Sequence, residues 1–320
     1  MEQVSAARKA MSMEQRQQLA SFWNGPLQWD VAMGAHCTLR AGGPAEALLV
    51  ASTLPELCRL IGWLEGQAIR WRVIGRGSNI LVGSQGFAGV LITLGGEFCD
   101  IRRGGSGSAQ PGMETVRVGA GCFAGKLVGW CARNGLAGLE FMAGIPGSIG
   151  GAVSMNAGAW GGEIGALVEA VTFVDRHGQV HEMARQELAI SYRRLRPLDS
   201  ELCGAVVVEA ALALKQGDPQ EILDRCRDLI ARRRAKQPSG VASAGSFFKN
   251  PPGDSAGRLI EAAGLKGLQR GGALVSTKHA NFIVNTGSAT AADITELMRE
   301  VQDRVYRFSG ILLEPEVHLL

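Results

Sequence analysis

The sequence predicts an α+β chain with more than one hydrophobic core. Its 320 residues are 46% apolar and 20% charged, enough to bury two or three cores rather than to remain disordered. Capped amphipathic helices and short β-like runs both occur along it. Glycine is the third signal: 44 residues, nearly twice what an average usage of roughly 7% would give. No G-X-Y period accompanies that excess, so it points to backbone sites rather than to collagen.

In chain order, Thr53-Leu54-Pro55-Glu56 has the form of a capping box, and Leu57, Leu60, Ile61 and Leu64 follow at helical spacing. Trp71 to Ile74 and Ile80 to Val82 read as strands on either side of the loop Gly75-Arg76-Gly77-Ser78-Asn79. Val90 to Leu94 and Thr115 to Val118 read as further strands. Between them Arg103-Gly-Gly-Ser-Gly-Ser-Ala-Gln-Pro-Gly112 reads as a surface hairpin loop. A helix over Phe123 to Asn134 is closed by Gly135. After it comes a segment with eight glycines from Gly144 to Gly165, a density that argues against an ordinary helix or strand. Strands resume at Ala170 to Val174 and Ala205 to Leu214.

From Asp218 a helix presents Ile222, Leu223, Cys226, Leu229 and Ile230 on one face and stops before Pro238. A boundary near residue 215 separates the C-terminal part as its own α+β unit. There, a helix from about Ala291 is opened by Thr290-x-x-Asp293 and ended by Gly310, with Ile294, Leu297, Met298, Val301, Val305 and Phe308 on its apolar face. A terminal strand spans Ile311 to Leu320.

Several function classes drop out. With 33 basic against 30 acidic residues, net charge +3, the chain does not read as a nucleic-acid coat or an anionic-membrane binder. No apolar run approaches the roughly 18 residues of a membrane span. The seven cysteines, Cys37, Cys58, Cys99, Cys122, Cys131, Cys203 and Cys226, are odd in number and never spaced C-x-x-C. They read as buried small apolar groups, without a disulfide framework or a metal site. The first residues lack the layout of a signal peptide, so a cytoplasmic location is expected.

The loop Gly75 to Asn79 offers uncrowded backbone N–H groups, a hydroxyl and an amide, which suits a diphosphate; a tight β-turn explains it equally well. It fails the dinucleotide fingerprint, because Ile80 stands where the third glycine belongs, and it lacks the Lys-Ser/Thr end of a P-loop. The second glycine segment, with Asn156 inside it, favours a ligand over a packed turn, and two such loops suggest one extended cofactor. Ser246 in Ala244-Gly-Ser-Phe-Phe-Lys-Asn-Pro251 is not a nucleophile elbow and has no histidine near in sequence. A hydroxyl donating a proton is the sharper reading, and a serine capping a turn the plainer one. The cluster Arg232 to Arg234 with Lys236 suits a helix C-terminus, with phosphate binding as its alternative use. Glu314 and Glu316 alternate around Pro315 and would ordinarily be solvated.

Taken in order, Gly-Arg-Gly-Ser-Asn-Ile-Leu-Val, Gly-Ile-Pro-Gly-Ser-Ile-Gly-Gly-Ala-Val-Ser-Met-Asn-Ala-Gly-Ala-Trp-Gly-Gly-Glu-Ile, Ser-Tyr-Arg, Gly-Ser-Phe-Phe-Lys-Asn-Pro, Lys278-His-Ala-Asn-Phe-Ile-Val-Asn285 and Leu-Glu-Pro-Glu-Val resemble the UDP-N-acetylenolpyruvoylglucosamine reductase family. The resemblance runs from about Thr38 to the C-terminus. It implies an FAD-binding fold of the vanillyl-alcohol-oxidase type with a C-terminal α+β substrate-binding domain. The expected layout is an N-terminal extension over 1–25, FAD-binding subdomains over 26–100 and 101–215, and a substrate-binding domain over 216–320. It also implies an NADPH-dependent flavoenzyme of peptidoglycan synthesis, acting on UDP-N-acetylglucosamine enolpyruvate.

Its site residues carry over individually. Gly75, Arg76, Gly77, Ser78, Asn79 and Ile80, with Gly144, Ile145, Pro146, Gly147, Gly150 and Gly151, would bind non-covalent FAD; nothing marks His36 as a flavin anchor. Arg193, Ser246 and Glu316 would be catalytic, and Tyr192, Lys236, Asn250, Lys266 and His279 would contact substrate. The implied chemistry takes hydride from reduced FAD N5 to C3 of the enolpyruvyl group and a proton from Ser246 to C2. A guanidinium at Arg193 would grip the carboxylate, and Glu316, if protonated by burial, would share the same oxyanion. Relatives commonly carry a serine two residues after the arginine, where Arg194-Leu195 follows here instead, and Arg76 stands where glycine is common. With Tyr192 and Tyr306 as its two tyrosines and a short stretch from Arg193 to Ser246, the chain resembles the shorter subgroup without the tyrosine loop.

Overall fold

The computed structural model describes residues 10–104 and 112–320. They fall into two compact units, one comprising residues up to Gln28, Ala47–Gly75 and Ala88–Ala231, the other Trp29–Glu46, Arg76–Phe87 and Arg232–Leu320. The division at Ala231 lies inside the helix Pro219–Lys236.

In the first unit an antiparallel sheet carries Val206–Gln216 at its centre, flanked by Val168–Val174 and then Val180–Ala184 on one side, and by Met113–Gly119 and then Ile101–Arg103 on the other. The central strand is buried along nearly its whole length, as a strand covered on both faces should be. Register places Arg102 opposite Arg117, a like-charge pair that would destabilise the ladder. Glu209 on the neighbouring strand answers both, at 2.5 Å from Arg102 and 2.8 Å from Arg117. The helix Ala124–Arg133 packs Leu127, Val128 and Cys131 into the core with Val116, Val118 and Leu212.

In the same unit Trp71–Val73 runs parallel to Phe87–Leu94; the helix Leu54–Gly66 leads into the first of these strands, and the segment 74–86, which holds the first glycine loop, connects the two. The capping box of that helix forms as predicted, and Leu57, Leu60, Ile61 and Leu64 are fully buried. Part of the N-terminal extension belongs to this unit too. Ser12 caps the helix Met13–Phe22, whose Phe22 ring meets Trp63 edge-on at 5.1 Å beneath the Arg59 guanidinium.

In the second unit the antiparallel strands Ala242–Ser243, Ile283–Asn285, Ala273–Val275 and Gln269–Arg270 form a sheet in that order. The helix Ala291–Ser309 shares its core through Ile294, Leu297, Met298, Val301 and Val305. The Thr290 capping box and the left-handed Gly310 at φ 70° end that helix as expected.

Three expectations need correction. The glycine-rich segment does contain a helix, Ile149–Ser154: Ser148 caps it, and Gly150 lets it press against Ala120, where a Cβ would sit 2.8 Å from the alanine methyl. Phe308 leaves the apolar face and is 59% exposed, in the last turn of its helix. The terminal strand shrinks to His318–Leu319, paired in parallel with Ile80–Leu81; Pro315, which has no N–H to donate, interrupts the ladder and leaves a single bridge to Phe248. The predicted hairpin loop lies mostly outside the described residues, but its flanks pair as antiparallel neighbours, Arg103 opposite Val116.

Candidate active site

The strand Trp71–Val73 ends with the Ile74 N–H bonded to the Ile92 carbonyl at 2.8 Å, and the chain then enters the first glycine loop. A Cβ on Gly75 would collide with the Ser148 hydroxyl, so within the first unit this loop and the glycine-rich segment come into contact. Gly144 at φ 77° and Gly147 at φ 124° take conformations open only to glycine at low cost. Two backbones this close, stripped of side chains, make a cradle suited to a diphosphate or a flat ring. Not every predicted contact in it is open. The Gly150 N–H is spent on the Ala120 carbonyl at 2.8 Å, and the Gly151 N–H on Ser148 Oγ at 3.4 Å, so these glycines serve helix capping and packing. Ile145 closes a turn onto the Met142 carbonyl at 2.9 Å, ahead of Pro146.

The remainder of the first loop belongs to the second unit. Gly77 is left-handed at φ 65°, and a Cβ there would strike the His36 carbonyl and lie 2.7 Å from Cys37 Cα. Thr38 holds the turn from outside, its N–H on the Gly77 carbonyl at 3.0 Å and its hydroxyl on the Ser78 carbonyl at 3.5 Å. Arg76 is exposed, Ile80 opens the strand that pairs with His318, and the Asn79 amide donates to the Glu316 carbonyl at 3.0 Å.

Tyr192 and Arg193 form the tip of a two-residue hairpin in the first unit, between the strands Leu188–Ser191 and Arg194–Pro197, with Ser191 opposite Arg194. Arg193 sits in the left-handed region at φ 57°, which costs a non-glycine residue roughly 1–2 kcal/mol. Such strain persists where neighbours over-determine it. Here the neighbour is Asn156, 1% exposed, whose amide donates to the Ser191 carbonyl at 3.0 Å and accepts from the Gly165 N–H at 2.9 Å. The sequence suggested that Asn156 belongs to a ligand-binding run; its side chain instead braces the hairpin that carries Arg193. The Arg193 guanidinium stacks over the Tyr192 ring at 5.0 Å.

In the second unit Ser246 and Glu316 are brought together by backbone bonds. The Glu316 N–H donates to the Phe247 carbonyl at 2.8 Å, the Lys249 N–H to the Glu314 carbonyl at 2.8 Å, and Phe248 bridges Pro315. Phe247 and Phe248 are buried, so the segment is anchored immediately after a half-buried Ser246. Glu314, by contrast, is exposed and pairs with Lys249 at 2.5 Å. On the segment's other side Asn281, 4% exposed, accepts from the Phe248 N–H at 2.9 Å and donates to the Phe248 carbonyl at 2.8 Å. Asn281 was visible inside the Lys278–Asn285 motif, but nothing local marks it out from Asn285.

The expected substrate residues of this unit gather in part around the helix Ala256–Ala262. Asn250 accepts from its first N–H at 3.1 Å, Lys266 pairs with Glu261 at 2.7 Å, and a Cβ on Gly257 would touch the His279 ring at 3.4 Å. The Asn281 N–H donates to His279 Nδ1 at 3.2 Å, which leaves the ring proton on Nε2. Burial, with Lys266 adding to it, holds this imidazole below the ordinary histidine range and hence neutral. Lys236 is exposed at the end of its helix. Arg233 in the same turn is drawn inward: Nη1 donates to Gln237 at 3.1 Å, while Nε is buried without a hydrogen-bond partner among the described residues. That is a signal for an anion which the arginine run alone did not single out.

Comparison with known proteins gives the family. Residues 45–184 match the FAD binding domain family, and residues 237–320 match the C-terminal domain of UDP-N-acetylenolpyruvoylglucosamine reductase. The chain is 44% identical over 297 residues to the UDP-N-acetylenolpyruvoylglucosamine reductase of Alkalilimnicola ehrlichii, covering 92% of this chain and 95% of that one. It is 40% identical over 305 residues to the enzyme of the same name from Syntrophus aciditrophicus, covering 95% of each. A crystal structure of UDP-N-acetylenolpyruvylglucosamine reductase from Thermus caldophilus superposes with a TM-score of 0.76 at 39% identity, over 93% of this chain and 99% of that one. With relatives this similar along nearly its whole length, the chain belongs to the UDP-N-acetylenolpyruvoylglucosamine reductase family, as an FAD-containing oxidoreductase that joins an FAD-binding domain of the vanillyl-alcohol-oxidase type to the family's C-terminal domain.

Proposed function

We propose that this chain reduces UDP-N-acetylglucosamine enolpyruvate to UDP-N-acetylmuramate with NADPH as hydride donor, a cytoplasmic step in making peptidoglycan precursors. The observation that carries the reading is the pairing of a proton donor with a carboxyl: Ser246 lies next to the residue whose carbonyl accepts the Glu316 N–H at 2.8 Å. Glycines whose backbone a side chain would obstruct, Gly75 and Gly77, suit the diphosphate of FAD, with Gly144 and Gly147 beside the ring. FAD would accept hydride from NADPH and deliver it to C3 of the enolpyruvyl group.

The protein's own residues handle the charge and the proton. As C3 gains hydride, the electron pair of the double bond moves toward C2 and its carboxylate, and the Arg193 guanidinium grips those oxygens in a fork. A preorganised donor of this kind is typically worth about 3 kcal/mol in the transition state. Glu316, if protonated, would donate to the same oxygens. Ser246 gives its proton to C2 and recovers one from solvent, so the product gains one hydride and one proton and fixes its configuration at C2. His279, neutral and donating through Nε2, and Lys266 contact the diphosphate of the sugar nucleotide, with Lys236, Asn250 and Tyr192 completing the substrate contacts. The layout expected from the sequence, with FAD subdomains over 26–100 and 101–215 and a substrate domain from 216, goes with this assignment.

The test is spectroscopic and kinetic. Protein reconstituted with FAD should be yellow, bleach with NADPH, and regain its absorbance when the enolpyruvyl sugar nucleotide is added anaerobically, in ping-pong order. Ser246→Ala should keep the bleaching and lose about 100-fold or more in the return. Protein that takes up no flavin, or reduced protein that does not reoxidise with the sugar nucleotide, would end this reading.

A further inference from the structure

We infer that Asn281 is a positioning residue for the reaction, fixing the register between Ser246 and Glu316 by gripping the peptide of Phe248 with both ends of its side chain; this rests on the function proposed above. Asn281 Oδ1 accepts from the Phe248 N–H at 2.9 Å and its Nδ2 donates to the Phe248 carbonyl at 2.8 Å, while its own carbonyl accepts from the Phe247 N–H at 2.8 Å. The side chain thus acts as an extra strand one residue long. On the opposite side, the Phe247 carbonyl accepts from Glu316 and the Lys249 N–H donates to Glu314, each at 2.8 Å. The peptides after Ser246 are therefore held from both sides.

The physical consequence concerns precision more than stability. Gly245 is left-handed at φ 77°, so a permissive residue separates Ser246 from the paired strand Ala242–Ser243, and the segment after the serine sets its position as well. Glu316 is held through both of its backbone groups, N–H to Phe247 and carbonyl from the Asn79 amide at 3.0 Å. If the Phe248 peptide shifts, the Phe247 carbonyl shifts with it, and the serine hydroxyl and the carboxyl no longer meet the same reacting centre. A displacement on the order of 1 Å in such a pair is enough to cost about 100-fold in the chemical step. Buried at 4% exposure and committed at both amide atoms, Asn281 acts through Ser246 and Glu316 rather than by touching substrate.

The test separates positioning from general damage. Asn281→Asp keeps the acceptor for the Phe248 N–H, loses the donor, and sets a carboxylate against the Phe248 carbonyl. Asn281→Ser removes both bonds without adding charge, and it carries the test if the aspartate variant is not recovered folded. In stopped-flow measurements on the FAD-loaded protein, bleaching by NADPH should stay within about twofold of wild type, while reoxidation by the enolpyruvyl sugar nucleotide should slow about 10- to 100-fold at saturating substrate. Amide exchange at Phe248, Lys249 and Glu316 should rise in the same variants. Equal slowing of both half-reactions, or faster amide exchange with an unchanged reoxidation rate, would overturn the inference. Should wild-type protein itself not reoxidise with the sugar nucleotide, the proposed function falls, and the exchange measurement alone still decides the clamp: unchanged protection in both variants overturns it.

Discussion

Replacing Asn156 tests how the hairpin tip that carries Arg193 is held. In Asn156→Ala the Gly165 N–H, buried and bonded at 2.9 Å in the native chain, loses its acceptor, at about 1–3 kcal/mol for a buried donor left unpaired. The position is also left-handed, at φ 40°, which asparagine tolerates and alanine does not, adding roughly 1 kcal/mol. Together these predict a loss of about 2–4 kcal/mol, and with a urea m-value of about 3 kcal/mol/M the unfolding midpoint falls by about 1 M. Trp63, Trp71, Trp130 and Trp160 lie in the same unit, so tryptophan fluorescence reports the transition. Asn156→Asp provides the contrast. It keeps the acceptor for Gly165 and the tolerance of positive φ, but loses the donor to the Ser191 carbonyl, two residues before Arg193. It also sets a buried carboxylate against that carbonyl, so its stability should fall by at least about 1–3 kcal/mol, while flavin reoxidation by the enolpyruvyl sugar nucleotide falls far more than flavin reduction. A midpoint for the alanine variant within about 0.2 M of wild type would refute the bond accounting.

Gly77→Ala forces a methyl onto the His36 carbonyl and Cys37 at positive φ; it should lose about 2 kcal/mol or more and retain less FAD through purification, read from the ratio of visible to ultraviolet absorbance. Burial alone would raise the pKa of Asp175, but hydrogen bonds from Gln179, His181 and His177 outweigh it and hold the carboxylate below its usual 3.8. A lowered native pKa means that this stabilisation is complete above 3.8 and lost as pH falls through the native value. The urea-midpoint gap between wild type and Asp175→Asn should therefore close on acidification below pH 4, and a gap independent of pH counts against the assignment. Burial pushes the Cys122 thiol up to about 11 and Cys131 up to about 12, whereas Cys203 is exposed. Native alkylation followed by peptide mapping should label Cys203 first and leave those two for the unfolded protein.

The sequence carried far into the fold wherever the determining physics is local. The capping boxes at Thr53 and Thr290 and the Gly310 stop specify helix ends through groups within a few residues of each other, and they form where the pattern places them. Phe308 and the Ile311 to Leu320 strand failed for a related reason: periodicity and β-propensity say which face could be buried, whereas a distant partner decides whether it is. The helix inside the glycine-rich segment was illegible because Gly150 answers to Ala120, far off in sequence, rather than to helix propensity.

The candidate site divides along the same line. The residues proposed to carry the chemistry, Arg193, Ser246 and Glu316, could be named from their motifs, since residue type is itself sequence information. What positions them could not. Asn156 braces Ser191 across 35 residues, Asn281 grips Phe248 across 33, and Asn79 reaches Glu316 across 237. A side-chain amide can cap a turn or pair with a remote peptide, and its own neighbours look alike in both cases. By itself, then, the sequence determined the elements whose ends are set by nearby groups, the helices opened at Thr53 and Thr290 among them, and which side chains are proposed to do the chemistry. Which asparagines brace the segments that carry those side chains was decided by tertiary structure alone, because a hydrogen bond is chosen by proximity in space.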